Sequence, residues 1–163
     1  MKDLIQKLVE TTGPSGYENQ VREMVITNIS KLTKDIKIDT MGNVVARVGA
    51  KKTGGSRIML SAHMDEIGII ATHIDENGFI RFTTIGGVRA ANCIGGRVLF
   101  LNGARGVIFM EKLENPGQIP GFNQLYIDCG FSRKEDCSIK VGDLAVFDRP
   151  FSDLGNRVIS KAM

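Results

Sequence analysis

The sequence predicts an α/β segment joined to an all-β segment, with the change of character near residue 68. Three observations predict it. Apolar residues recur at helical spacing through the first 32 residues, and beyond Gly68 they fall in short runs separated by glycine turns. Glycine contributes 19 of the 163 residues, well above the usual ~7%, as many short strands joined by tight turns require. The length suits one ordinary domain or two small ones and is enough to bury a core.

The elements follow in order. Leu4, Ile5, Leu8 and Val9 share one face of a helix over Asp3–Glu10. Thr12-Gly13-Pro14 stops it, because proline offers no donor and disfavours a helical residue before it. Ser15-Gly16-Tyr17-Glu18 reads as a capping box opening a second helix, with Val21, Met24, Val25, Ile29 and Leu32 at helical spacing. Ile36 and Ile38 switch to period two, Gly42-Asn43 turns the chain, and Val44–Val48 reads as the next strand. Lys51-Lys52 beside Thr53–Ser56 reads as a solvated turn, after which Arg57–Ala62 is predicted as a third strand ending at His63.

Beyond Gly68 the strand candidates are Gly68–Ile74, Phe79–Thr84, Arg97–Leu101, Val107–Met110, Leu125–Ile127 and Leu144–Phe147. Asp75–Gly78 and Asn102–Gly106 are predicted hairpin turns, and no long helix is needed between residues 68 and 150. That spacing predicts a small barrel or sandwich.

Composition excludes several function classes. Hydrophobic residues are 42% and charged residues 24% of the chain, so it is not a disordered sequence. No apolar run approaches the ~20 residues of a membrane-spanning helix, and no signal-peptide core opens the chain. Residues 1–68 hold 10 Lys/Arg and 8 Asp/Glu, the remainder 11 and 10, so the net charge of +3 forms no basic stripe for nucleic acid or membrane. Cys93, Cys129 and Cys137 are odd in number and never spaced C-x-x-C, as expected of free thiols in a reducing, cytoplasmic compartment.

The one chemical cluster is Ser61-Ala62-His63-Met64-Asp65-Glu66-Ile67-Gly68, at the end of a predicted strand. His63 and Asp65 lie two apart and in extended backbone point the same way, while Glu66 points the other. An imidazole bound to a metal with a carboxylate steadying its other nitrogen needs that geometry; a strand-end histidine capped by a nearby acid uses it equally. Three protein ligands are normally required for a catalytic zinc, and the second histidine, His73, reads as a surface or barrel residue of the β-rich half. H-E-x-x-H and G-x-S-x-G are absent, and Gly86-Gly87 and Gly95-Gly96 lack the lysine and helix of a phosphate loop.

Taken together, Thr12–Glu18, Asp39-Thr40-Met41-Gly42-Asn43, Ser61–Gly68, Leu125–Gly130 and Val141-Gly142-Asp143 stand in an order that resembles the M42 family of metallo-aminopeptidases, some members of which carry cellulase or endoglucanase labels. Asn115–Gln124 departs from the pattern. The resemblance implies an incomplete α/β zinc-peptidase-like domain interrupted by a small PDZ-like β-barrel domain. Residues 1–68 are expected to open the peptidase domain, 69–153 to form the β-rich assembly domain, and 154–163 to begin the return. By the same resemblance His63 matches a metal ligand and Asp65 the residue that orients it.

The complete family enzyme holds two divalent ions, zinc or cobalt, acts on peptides and forms homo-oligomers, typically of twelve subunits. Its bridging aspartate is expected directly after Ser160-Lys161-Ala162-Met163, so the chain reads as truncated, binding metal weakly or not at all and inactive alone. A different class of reading is a non-catalytic assembly or peptide-binding module built on the β domain. A glycosidase is disfavoured, because no carboxylate pair is marked and there is no Trp platform for a sugar.

Overall fold

Leu4, Ile5, Leu8 and Val9 do lie in a helix. In the computed structural model, which describes residues 1–49, 54–113, 115 and 117–161, α1 spans Lys2–Glu10. Asp3 in its first turn and Lys7 in its last complement the helix dipole. The helix ends where Thr11 turns extended (φ −72°, ψ 131°) and its hydroxyl donates to the Lys7 carbonyl at 2.6 Å. None of its side chains is buried.

The second helix, α2, spans Asn19–Ile29, so Leu32 falls beyond it and is exposed. The predicted capping box does not form. Glu18 occupies the N-cap with no side-chain cap bond, and its carboxylate accepts instead from the Gly16 N–H at 2.6 Å. Ser15 sits too far ahead, in a turn closed by the Tyr17 N–H donating to the Pro14 carbonyl at 2.8 Å. That turn uses Gly16 at φ +87°, a conformation glycine adopts without steric cost. Gly13 is required for closeness: a Cβ there would lie 2.6 Å from Val21 Cγ2.

Strands β1 (Ile36–Ile38) and β2 (Val44–Ala46) form an antiparallel hairpin. Asp39 organises its turn, its carboxylate accepting from the Met41 and Asn43 N–H groups at 2.9 Å and from the Asn43 amide at 2.8 Å. Arg22 ties α2 to this turn by donating to the Gly42 carbonyl at 2.8 Å. The strand predicted at Arg57–Ala62 is absent: no ladder bonds form there, and Ile58, Met59 and Leu60 are 87–92% exposed. A strand exists only with a neighbour to bond, and no described residue supplies one. Of the basic turn, Lys51 to Thr53 lie outside the described residues.

The six later strands all form. They are β3 (Gly68–Ile74), β4 (Ile80–Ile85), β5 (Arg97–Phe100), β6 (Arg105–Met110), β7 (Leu125–Asp128) and β8 (Leu144–Phe147). All neighbours are antiparallel, and they close into a barrel in the order β3-β4-β7-β6-β5-β8. Alternation places Ile69 and Ala71, Ile80 and Phe82, Val98 and Phe100, and Leu125 and Ile127 inside, with Ile108 between them. The Asp75–Gly78 and Asn102–Gly106 turns join hairpins as predicted, although Arg105 and Gly106 already belong to β6. Val141-Gly142-Asp143 sets the β3 edge, the Ala71 N–H donating to Asp143 O (2.9 Å) and Gly142 N–H to Ala71 O (2.8 Å).

One parity change matters for the histidine count. The β3–β4 register shifts between Ala71 and His73, so Ile74 takes the inward place and His73 is exposed. After the barrel, β9 (Ser152–Asp153) and β10 (Val158–Ile159) pair as a short antiparallel ladder. Lys2 Nζ bonds the Asp153 carboxylate at 2.9 and 3.0 Å and the Gly155 carbonyl at 3.0 Å, and the Phe151 N–H reaches Glu10 at 3.2 Å. The last described residues thus return to the first helix. The three cysteines are free, Cys93 buried and the others partly so.

Candidate functional site

His63 and Asp65 lie in the unladdered stretch that leads into β3, and their side chains meet. His63 Nδ1 is 3.0 Å from Asp65 Oδ1 and 3.0 Å from the Asp65 backbone oxygen. Both partners are acceptors, so Nδ1 must carry the proton and donate. In the neutral ring Nε2 then keeps its lone pair, and the side chain is 84% exposed. A metal asks this of a histidine: one nitrogen held by a carboxylate, the other open. The donor chemistry therefore fits a divalent ion.

Asp65 is itself held. Ser15 Oγ donates to its Oδ2 at 2.5 Å, so the two carboxylate oxygens serve two different partners. The Ser15 hydroxyl, with a smaller contribution from His63, holds the Asp65 carboxyl below its ordinary range against the opposing effect of burial. The sequence reading assigns that hydroxyl to the start of α2; it lies 50 residues away from its actual partner, and nothing local signals the pairing.

Glu66 faces elsewhere, as alternation predicts. Its Oε1 accepts from Lys161 Nζ at 2.7 Å and from the Gly13 N–H at 3.0 Å. The pair is deeply buried, with side-chain exposures of 10% and 7%. A parallel bridge joins Pro14 to Glu66, the Glu66 N–H donates to the Gly13 carbonyl at 2.9 Å, and Lys161 also reaches the Thr11 carbonyl at 3.5 Å. The turn after α1 is therefore strapped along residues 65 and 66, gripping one carboxylate on each side. Beyond this pair, no group of three His, Cys, Asp or Glu side chains is gathered for a metal among the described residues. His73 is remote in role, standing exposed on the barrel wall.

A cavity of about 190 Å³ opens nearby, lined by Ile67, Val88, Phe147, Arg89, Arg149 and Lys161 among others. Among the described residues no helix is long and apolar enough to cross a membrane.

Residues 42–163 match a family described as M42 glutamyl aminopeptidase. A protein of Acetivibrio thermocellus named as a candidate aminopeptidase is 42% identical over the whole chain and 49% of its own length. The solved aminopeptidase APDkam598 of the archaeon Desulfurococcus kamchatkensis is 39% identical, with a TM-score of 0.85 over 94% of this chain and 44% of its own. The TET1 peptidase of Pyrococcus horikoshii, described as assembling into a tetrahedron or a large octahedral shell, is 34% identical with a TM-score of 0.82. It is matched over 96% of this chain and 49% of its own. The chain thus spans about half the length of the relatives it matches.

Proposed function

This chain belongs to the M42 glutamyl aminopeptidase family, and from that premise we propose that it forms part of a metal-dependent aminopeptidase that removes N-terminal residues from peptides. The observation that carries the reading is the His63–Asp65 pair, with Nδ1 held at 3.0 Å and the rest of the ring open. In this reading His63 holds a metal and Asp65 orients it. The complete site would hold two divalent ions, zinc or cobalt, whose contribution is Lewis-acid polarisation of the peptide carbonyl.

Residues 1–68 are assigned to the peptidase domain, 69–153 to a PDZ-like insertion and 154–163 to the return. Support for that return comes from Lys2–Gly155 and Glu66–Lys161, which join residues of the 154–163 segment to the first 68. The barrel holds nearly all of the core and leaves Phe109, Met110 and Ile119 outside. Together with the shells formed by the TET1 relative, that supports an assembly role in a cytoplasmic homo-oligomer.

One imidazole is a weak metal site, because a catalytic centre needs three protein ligands. The 163 residues alone are therefore expected to bind cobalt or zinc weakly, through His63, and to leave aminoacyl-anilides uncleaved. Titration of the purified chain with each metal, alongside an anilide assay, checks this. Metal affinity indifferent to His63→Ala would overturn the ligand assignment, and robust turnover abolished by His63→Ala would overturn the expected inactivity.

A further inference from the structure

We propose that Ser15 is a positioning residue for the His63 imidazole, acting through Asp65; the proposal rests on the reading of His63 as a metal ligand. The Asp65 carboxylate divides its oxygens, Oδ1 accepting from His63 Nδ1 at 3.0 Å and Oδ2 from Ser15 Oγ at 2.5 Å. The terminal torsion of an aspartate is broad and roughly two-fold. A carboxylate bound only by an exposed histidine would therefore rock with the ring. A second bond from a fixed donor removes that freedom.

Ser15 is such a donor. Its turn is closed by the Tyr17-to-Pro14 bond of 2.8 Å. The preceding residues are bonded to Glu66, the neighbour of Asp65, through the Pro14 bridge and both polar backbone groups of Gly13. Donor and acceptor are thus anchored on backbones bonded to each other. The hydroxyl does not cap α2, whose N-cap is Glu18 without a side-chain bond. His63 itself stands outside any sheet and exposed; its Nδ1 has two acceptors, the Asp65 backbone oxygen and Oδ1, each at 3.0 Å, and the relay acts through the second.

The test is nitrogen NMR of the histidine tautomers in the full chain at pH 8. His73 is the only other histidine, so His73→Gln assigns the signals. The native chain should show His63 as the Nδ1–H tautomer. Ser15→Ala should raise the Nε2–H population several-fold and weaken cobalt binding by about 10-fold, and Ser15→Thr, which keeps the hydroxyl, should restore both.

A shift in urea midpoint with an unchanged His63 tautomer would reduce Ser15 to a structural tie and overturn the proposal, as would no effect of Ser15→Ala at all. If His63→Ala leaves metal affinity unchanged, the ligand reading fails separately, and the tautomer shift still decides whether Ser15 sets the ring.

Discussion

Asp65 shows how much of a site can be written in three residues and how much cannot. The H-x-D spacing places His63 and Asp65 on one side of the chain, and their side chains do meet. The other oxygen of the same carboxylate is taken by Ser15, whose sequence neighbourhood, S-x-x-E, points instead to a helix cap. Local hydrogen bonding and a long-range partner compete for one hydroxyl, and the turn at Gly16 decides by carrying Ser15 away from the first turn of α2. Glu66 is the converse case. Alternation shows that it turns away from His63, but not that a lysine 95 residues on waits there.

Cys129 carries a prediction of its own at this scale. Burial, with Cys137 and Asp128 adding to it, pushes its thiol from an ordinary 9.0 up to about 11. Over that window the folded chain keeps a proton that the unfolded chain has released. Its contribution to stability is full below pH 9 and is lost as pH climbs towards 11. The drop in urea midpoint between pH 8 and pH 10.5 should therefore be smaller in Cys129→Ala than in the native chain, whatever the variant's starting stability. Parallel curves for the two would refute it.

Among elements, the strap between the 11–18 turn and residues 65–66 is closed by the Glu66–Lys161 pair. Both side chains are nearly out of solvent, so removing one partner leaves a buried charge without its counterion. Lys161→Met should destabilise the fold by about 3–5 kcal/mol, read from urea denaturation. The Lys161→Met, Glu66→Gln double variant should recover a substantial part of that loss, because the uncompensated carboxylate is gone. Additive losses in the two variants would show that the pair acts through packing and not charge.

Element existence in the β half was legible because one buried face imposes period two on each strand, and the turn chemistry of Asp75–Gly78 and Asn102–Gly106 marks the hairpins. A misread strand and an outward-facing histidine have the same physical root. Ile58, Met59 and Leu60 have the composition of a buried strand but find no ladder partner among the described residues. His73 keeps the parity of Ile69 and Ala71 in sequence, yet a bulge in β3 moves it outward. Whether an apolar run becomes a strand, and which face it shows, depends on the neighbouring strand.

At the level of the whole molecule, the core belongs to the barrel. Nearly every buried apolar side chain lies between Ile69 and Phe147, with Val21 and Pro14 as the main exceptions earlier in the chain. The first 68 residues instead leave Leu4, Leu32, Ile38, Val45 and Val48 exposed together with the 58–60 run, more apolar surface than an isolated small unit usually shows. Self-association is the expected consequence. Light scattering across a concentration series should show species heavier than one chain, and a compact monomer at every concentration would overturn the assembly role.

By itself the sequence determined where the six barrel strands and their hairpin turns fall and that His63 and Asp65 share a side. These depend on the alternation of side chains along a backbone and on turn residues a few positions apart. Only the tertiary structure decided the strand order β3-β4-β7-β6-β5-β8, the outward turn of His73, the absence of a strand at residues 57–62, and the grip of Ser15 and Lys161 on neighbouring carboxylates. The grips of Ser15 and Lys161 depend on contacts across 50 and 95 residues of chain, which form when folding brings distant backbones together. No local window contains both partners.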